Sequence, residues 1–278
     1  MFKSLLVHIP SERTVRPAVD GSISLASACS AHLDALAIGY EPTNIPLAAA
    51  GGAAVAAVFE QERQRALERA EAALTIFKAE AKDAGISYNC RAIDAIPAEA
   101  ISIAAGTARL HDLTIVSQPE GDGDTFDNEL PQQILFEAGS PVLFIPYTFR
   151  GTFAAKRIGI CWDGSRLASR TLRDAMPFLR QAEALTIITI GKSGTIPAEA
   201  SPEHLLLYLA RAGLSARTIS FPAGHSEIQP AILSVAADES LDFLVMGGYG
   251  HSRIQETVMG GVTREMIRSM TVPTLMSH

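Results

Sequence analysis

The chain has 278 residues, 47% hydrophobic and 19% charged, enough apolar material for two domains of ordinary size. A formal net charge of −7 excludes nucleic acid as a main partner, since neutralising phosphates takes a basic face. No apolar stretch reaches the length of a membrane span, and the opening Met1-Phe-Lys-Ser4 lacks an apolar signal region, so a cytoplasmic chain without a membrane partner is expected.

The charge is divided unevenly. Residues 1–148 hold 10 basic against 19 acidic side chains, whereas residues 149–278 hold 13 against 11. An anionic ligand is therefore less opposed in the second half. Cys29, Cys90 and Cys161 lie far apart with no metal-ligand spacing, which suits small reduced thiols and no metal site.

In chain order, short aliphatic runs alternate with amphipathic stretches, the pattern of βαβ units and a parallel sheet. Strands are expected near Ser4–Ile9, Ala35–Gly39, Ser87–Ala92, Leu113–Ser117 and Val142–Pro146. Leu47–Val58 reads as an Ala/Gly-rich loop running into a long helix over Gln61–Ala84, which Gly85 ends. The second half predicts strands near Arg157–Trp162, Leu185–Ile190, Ala216–Phe221, Phe243–Gly247 and Thr274–Met276. Its helices fall near Ser169–Leu179, Pro202–Ala212, Glu227–Glu239 and Val262–Ser269.

The two halves are written on one plan. Each opens on a Lys and an aliphatic run, at Lys3 and at Lys156, and each carries an Asp-led run, at Asp112 and at Asp242. Each then closes on a Pro-led run, at Pro141 and at Pro273. This internal repeat predicts an α/β chain of two tandem Rossmann-like domains, 1–148 and 149–278. Each would be an open parallel five-stranded sheet with helices on both faces. The short linker, roughly Tyr147 to Ala155, predicts intrachain pairing of the domains.

The stretch most telling for function is Gly247-Gly-Tyr-Gly250-His-Ser-Arg253, continuing to Gly260-Gly261-Val262-Thr263. It leaves the carboxyl end of a strand and enters a helix. In open parallel sheets ligands bind at that strand end, and a helix N-terminus offers unpaired N–H groups and a positive dipole end. Gly247 and Gly250 would turn the chain, Gly260 and Gly261 would bring the helix end to a phosphate, and Thr263 could supply a hydroxyl. His251 and Arg253 could approach phosphates or could simply face solvent.

The spacing of Gly, two residues, Gly, nine residues, Gly resembles the universal stress protein family, in its tandem two-domain form. That resemblance implies ATP or a related adenine nucleotide, with magnesium as a candidate companion, held by the glycine motif. It also implies an Asp just past the first strand near the adenine and ribose; here Asp163 in Cys161-Trp-Asp-Gly-Ser165. The same Asp-Gly-Ser is also good turn chemistry. Gly261 stands where the family has Ser or Thr, and losing such a hydrogen bond to a charged group would cost roughly 1.5–3 kcal/mol if nothing replaced it.

The first half departs further. Its matching loop, Ser117 to Asp127, has no glycine motif and four acidic residues, and Pro10 takes the place of Asp163. It is expected to repel phosphate, bind no nucleotide and serve a structural or partner-binding role. His8 reads as a satisfied core or rim histidine and Trp162 as packing. No catalytic constellation is present: there is no Walker loop, GxSxG elbow or HExxH helix.

The expected function is a stress-response or regulatory adenine-nucleotide-binding protein, its nucleotide held by Asp163, Gly247, Gly250, Arg253, Gly260, Gly261, Val262 and Thr263. An unknown protein partner and a homodimer are candidate associations. The alternatives are an interaction module without nucleotide and a slow ATP hydrolase.

Overall fold

All ten aliphatic runs form strands in the computed structural model, which describes residues 1–42, 52–121, 125–191, 196–248 and 261–278. Contacts group the residues into two units. The N-terminal unit comprises Phe2–Ser140 with Arg150–Thr152; the C-terminal unit comprises Pro141–Phe149 and Phe153–His278, with Met1.

In the N-terminal unit the strands are β1 (Ser4–Ile9), β2 (His32–Tyr40), β3 (Tyr88–Ala95) and β4 (Leu113–Ser117). They lie in the order β3-β2-β1-β4, all parallel. The helices are α1 (Arg16–Cys29), α2 (Gly52–Asp83), α3 (Pro97–Ala108) and α4 (Leu130–Glu137). Helix α1 packs beside α2, and α3 beside α4. Helix α2 begins earlier than the sequence suggests and takes in Gly52–Val58. Its many alanines offset the poor helix propensity of a terminal glycine.

Burial explains why the strands were readable. All five residues of β4 and five of the six in β1 are buried, so both faces are covered and the runs are mostly aliphatic. One glycine sets the helix–sheet spacing here: a Cβ on Gly39 of β2 would overlap the carbonyl of Ala66 in α2.

In the C-terminal unit β5 (Val142–Ile145) pairs antiparallel with the last strand, β10 (Thr274–Ser277), placing Leu143 opposite Leu275. These are the two Pro-led runs. The remaining strands, β6 (Arg157–Cys161), β7 (Ala184–Ile190), β8 (Arg217–Phe221) and β9 (Phe243–Gly247), are parallel to β10 in the order β10-β9-β6-β7-β8. Helix α5 (Arg166–Asp174) packs over β9 and β10. It starts three residues before the expected Ser169 because Ser165 caps it, accepting the Ala168 N–H at 3.1 Å. A short α6 (Met176–Leu179) follows with Pro177 in its first turn, where proline interrupts the α5 hydrogen bonds. Among the described residues the unit also has helices α7 (Pro202–Arg211), α8 (Ile228–Asp238) and α9 (Val262–Ser269).

The landmarks of the sequence repeat are joined in the same way in each unit. Asp112 accepts the N–H groups of Lys3 and Ser4 at 2.6 and 3.0 Å. Asp242 accepts those of Lys156 and Arg157 at 3.0 and 2.9 Å. In both cases a carboxylate at the start of one strand satisfies amides at the start of its neighbour.

Candidate functional site

Strand β6 hands the chain to β7 and then β8 on one side, after which β9 returns to its other side. The carboxyl ends of β6 and β9 therefore flank a reversal of strand order, where open α/β sheets bind ligands. Two of the sequence-derived site residues stand at this crevice, Asp163 past β6 and Gly247 at the end of β9.

Asp163 is exposed, and its Oδ1 accepts the Ser165 N–H at 2.9 Å, so part of its carboxylate closes a turn. Gly164 turns the chain with φ +73°, and an added Cβ there would meet Ile196 at 2.8 Å. Gly247 has a packing role: a Cβ would lie 2.7 Å from the Ala168 nitrogen, in the first turn of α5. Beyond it, Gly248 donates to the Ser277 carbonyl at 2.9 Å and its carbonyl lies 3.1 Å from His278 Nδ1.

Helix α9 is the connection from β9 to its parallel neighbour β10, so it runs back along them and its amino end lies toward the carboxyl ends of the strands. Gly261 is its N-cap residue, with φ −52° and ψ 144°, and has no side chain to cap the first turn. The N–H groups of Val262 and Thr263 belong to that first turn. Thr263 is only 5% exposed. Gly250, Arg253 and Gly260, and His251 with them, lie outside the described residues.

Trp162, buried, donates from Nε1 to the Ala200 carbonyl at 2.7 Å and pins the 3-10 turn Ala198–Ala200 to the β6 loop. Burial, followed by the Asp163 charge, pushes the Cys161 thiol up to about 12, so it stays protonated and unreactive at neutral pH. A cleft of about 320 Å³ opens beside this loop, lined by Trp162, Ser165, Arg166, Arg173, His204 and Tyr208 among others.

The N-terminal unit has its own reversal between β1 and β4, and there the crevice is filled. Asp127, in the 3-10 turn Phe126–Asn128, is 0% exposed. Its Oδ2 accepts the N–H groups of Ser11 and Glu12, just past β1, at 2.8 and 2.7 Å. Its Oδ1 accepts the Tyr40 hydroxyl at 2.9 Å and lies 3.6 Å from His8 Nε2. Arg13 donates to the carbonyls of Ser117, Gln118 and Asp127 at 3.2, 2.6 and 3.0 Å, joining β1's loop to the end of β4. Burial, with the Arg13 charge second, drives His8 down to about 3, so it is neutral. The sequence reading placed Asp127 among charges lining an open loop; its carboxylate instead turns inward. Nothing in the sequence signals this, because its partners stand 115 and 116 residues away. Residues 122–124 of that loop lie outside the described residues.

Residues 154–278 match the model of the Universal stress protein family. Universal stress protein Slr1230 of Synechocystis sp. is 29% identical over 150 residues, which take in 52% of this chain and 49% of that protein's own length. A universal stress protein structure from Archaeoglobus fulgidus superposes with TM-score 0.73 at 14% identity, covering 98% of this chain and 97% of that one. A Pseudomonas aeruginosa structure described as a putative universal stress protein gives 0.60 at 17% identity, over 99% of this chain and 93% of that one. At those identities the structures speak for the fold alone: α/β, mostly parallel, with helices on both faces. No helix among the described residues is long and apolar enough to cross a membrane.

Proposed function

We propose that the C-terminal unit binds an adenine nucleotide at the crevice between β6 and β9, and that the chain is a stress-response or regulatory protein whose partners read that occupancy. The observation that carries this reading is positional. An exposed carboxylate, Asp163, and the amino end of α9 come to one strand-order reversal, in the segment that matches the Universal stress protein family. The Asp163 oxygen left free of the turn can accept from ribose hydroxyls or the adenine amino group. Val262 and Thr263 stand in the first turn of α9, where the positive end of the helix dipole favours a phosphate. Gly250, Arg253 and Gly260 belong to the same motif and complete the proposed set. Without a Ser or Thr hydroxyl at position 261 the phosphate contact rests on backbone amides.

Calorimetric titration of the full chain with ATP, ADP and AMP, each with and without magnesium, tests this. The expected outcome is saturable binding of at least one nucleotide, weakened about ten- to a hundredfold in Asp163→Ala. No heat for any of the three at millimolar concentration would leave the second reading, an interaction module without nucleotide. One observation favours that alternative: Asp163 and Gly247 both already have structural work, in a turn and in helix packing.

A further inference from the structure

The carboxylate of Asp127 has the surroundings of a bound anion. Two main-chain amides from one loop converge on one oxygen and a buried hydroxyl meets the other. The Arg13 guanidinium stands close by, its two terminal nitrogens donating to three carbonyls. The site occupies the strand-order reversal of its unit, where the fold offers a ligand position. Residues at the carboxyl ends of β1 and β4 also carry unpartnered polar atoms. His8 Nδ1 and Ser117 Oγ are buried in residues 1% exposed and have no hydrogen-bond partner among the described residues. Buried polar atoms without partners are rare in folded proteins and cost stability.

We propose that the N-terminal unit contains an oxyanion site formed by the Ser11 and Glu12 amides and the Tyr40 hydroxyl, and that Asp127 is its resident, intramolecular ligand. The chemistry it accepts is a carboxylate-sized oxyanion. Nucleotide is kept from this unit by occupancy: the amides that would meet a phosphate are already satisfied, and Arg13 ties the two strand ends together. The acidic composition of the loop is then secondary. A covalently tethered carboxylate also loses little freedom on docking, so it outcompetes a free anion at ordinary concentrations.

The test is chemical rescue in the full chain. Asp127→Ala removes the carboxylate and leaves room for formate, a free molecule of nearly the same shape. Hydrogen exchange followed by mass spectrometry reads the segment that holds Ser11 and Glu12. Exchange there should quicken at least about tenfold in Asp127→Ala, and 50–100 mM formate, roughly, should return it most of the way, while chloride at equal ionic strength should not. Wild-type protein should not respond to formate. Adding Tyr40→Phe to Asp127→Ala should weaken the rescue, because one donor to the anion is gone. If Asp127→Ala proves too unstable to handle, Asp127→Asn serves: its amide keeps one oxygen but loses the charge, and quickened exchange at Ser11 and Glu12 is again expected. Unchanged exchange in both variants, or rescue by chloride as strong as by formate, would overturn the proposal. The experiment contains no nucleotide, so its failure is independent of the reading of the C-terminal unit.

Discussion

Asp163 and Asp127 each follow a strand end, and their surroundings give them opposite uses. Asp163 is exposed and spends one oxygen on a turn; Asp127 is 0% exposed and both its oxygens are engaged. The first was legible in the sequence because its neighbours Gly164 and Ser165 are local. The second was not, because burial and long-range partners decide it. Glycines divide in the same way. Gly247 was read for its turn, yet its position against Ala168 gives it a packing reason that no local pattern reveals. Gly247→Ala should destabilise the C-terminal unit by about 1–3 kcal/mol, through overpacking against the α5 backbone, as read by urea denaturation. His8 makes a pH prediction. Its folded pKa of about 3 lies below the unfolded 6.5, so as pH falls from 6.5 toward 3 the unfolded chain takes up a proton that the folded one refuses. Stability is lost through that window at up to about 1.4 kcal/mol per pH unit from this residue. Burial raises the Asp127 carboxyl, which acts in the opposite sense at the acid end, so the informative quantity is the difference between wild type and His8→Gln. The variant's denaturation midpoint should fall less steeply below pH 6.5; parallel curves would show that His8 is charged in the fold.

At the scale of elements, strands were easier to read than helix starts. Strands buried on both faces, such as β4 and β5, are mostly apolar runs led by Asp or Pro. The start of α2 was misplaced because Gly52-Ala-Ala-Val-Ala-Ala carries no charge pattern to mark a helix face. The sequence sets the start of α5 three residues late because Asp163-Gly-Ser165 reads equally well as a turn, while Ser165 serves as its N-cap. That cap gives a prediction: Ser165→Ala should cost about 1 kcal/mol, while Ser165→Asp, which keeps an acceptor, should cost less. Strand starts carry a second. Asp242 satisfies the amides of Lys156 and Arg157 as Asp112 does those of Lys3 and Ser4, so Asp242→Ala should cost about 1–2 kcal/mol in thermal unfolding. These contacts give the sequence repeat its physical meaning. The Lys-led and Asp-led runs recur because the starts of β1 and β6 are each held by a carboxylate just before a neighbouring strand, β4 and β9.

At the scale of the whole molecule, two α/β units border the same kind of strand-order reversal with different groups. The reversal of strand order that creates a ligand position is present in both units, since it follows from the order in which the strands are laid down. In the N-terminal unit the position is closed from within by Asp127 and Arg13; in the C-terminal unit an exposed carboxylate and a helix amino end border it. The sequence distinguishes the units by their glycines and acids; the buried network around Asp127 is not legible there, because its partners are distant in the chain. The proposed division of labour can be read in one experiment: hydrogen exchange along the full chain with and without saturating ATP. The account predicts slowed exchange at residues 161–168 and 262–266, and no change at residues 5–16 or 113–121. Protection confined to the N-terminal segments, or none at residues 161–168 while ATP is demonstrably bound, would contradict it.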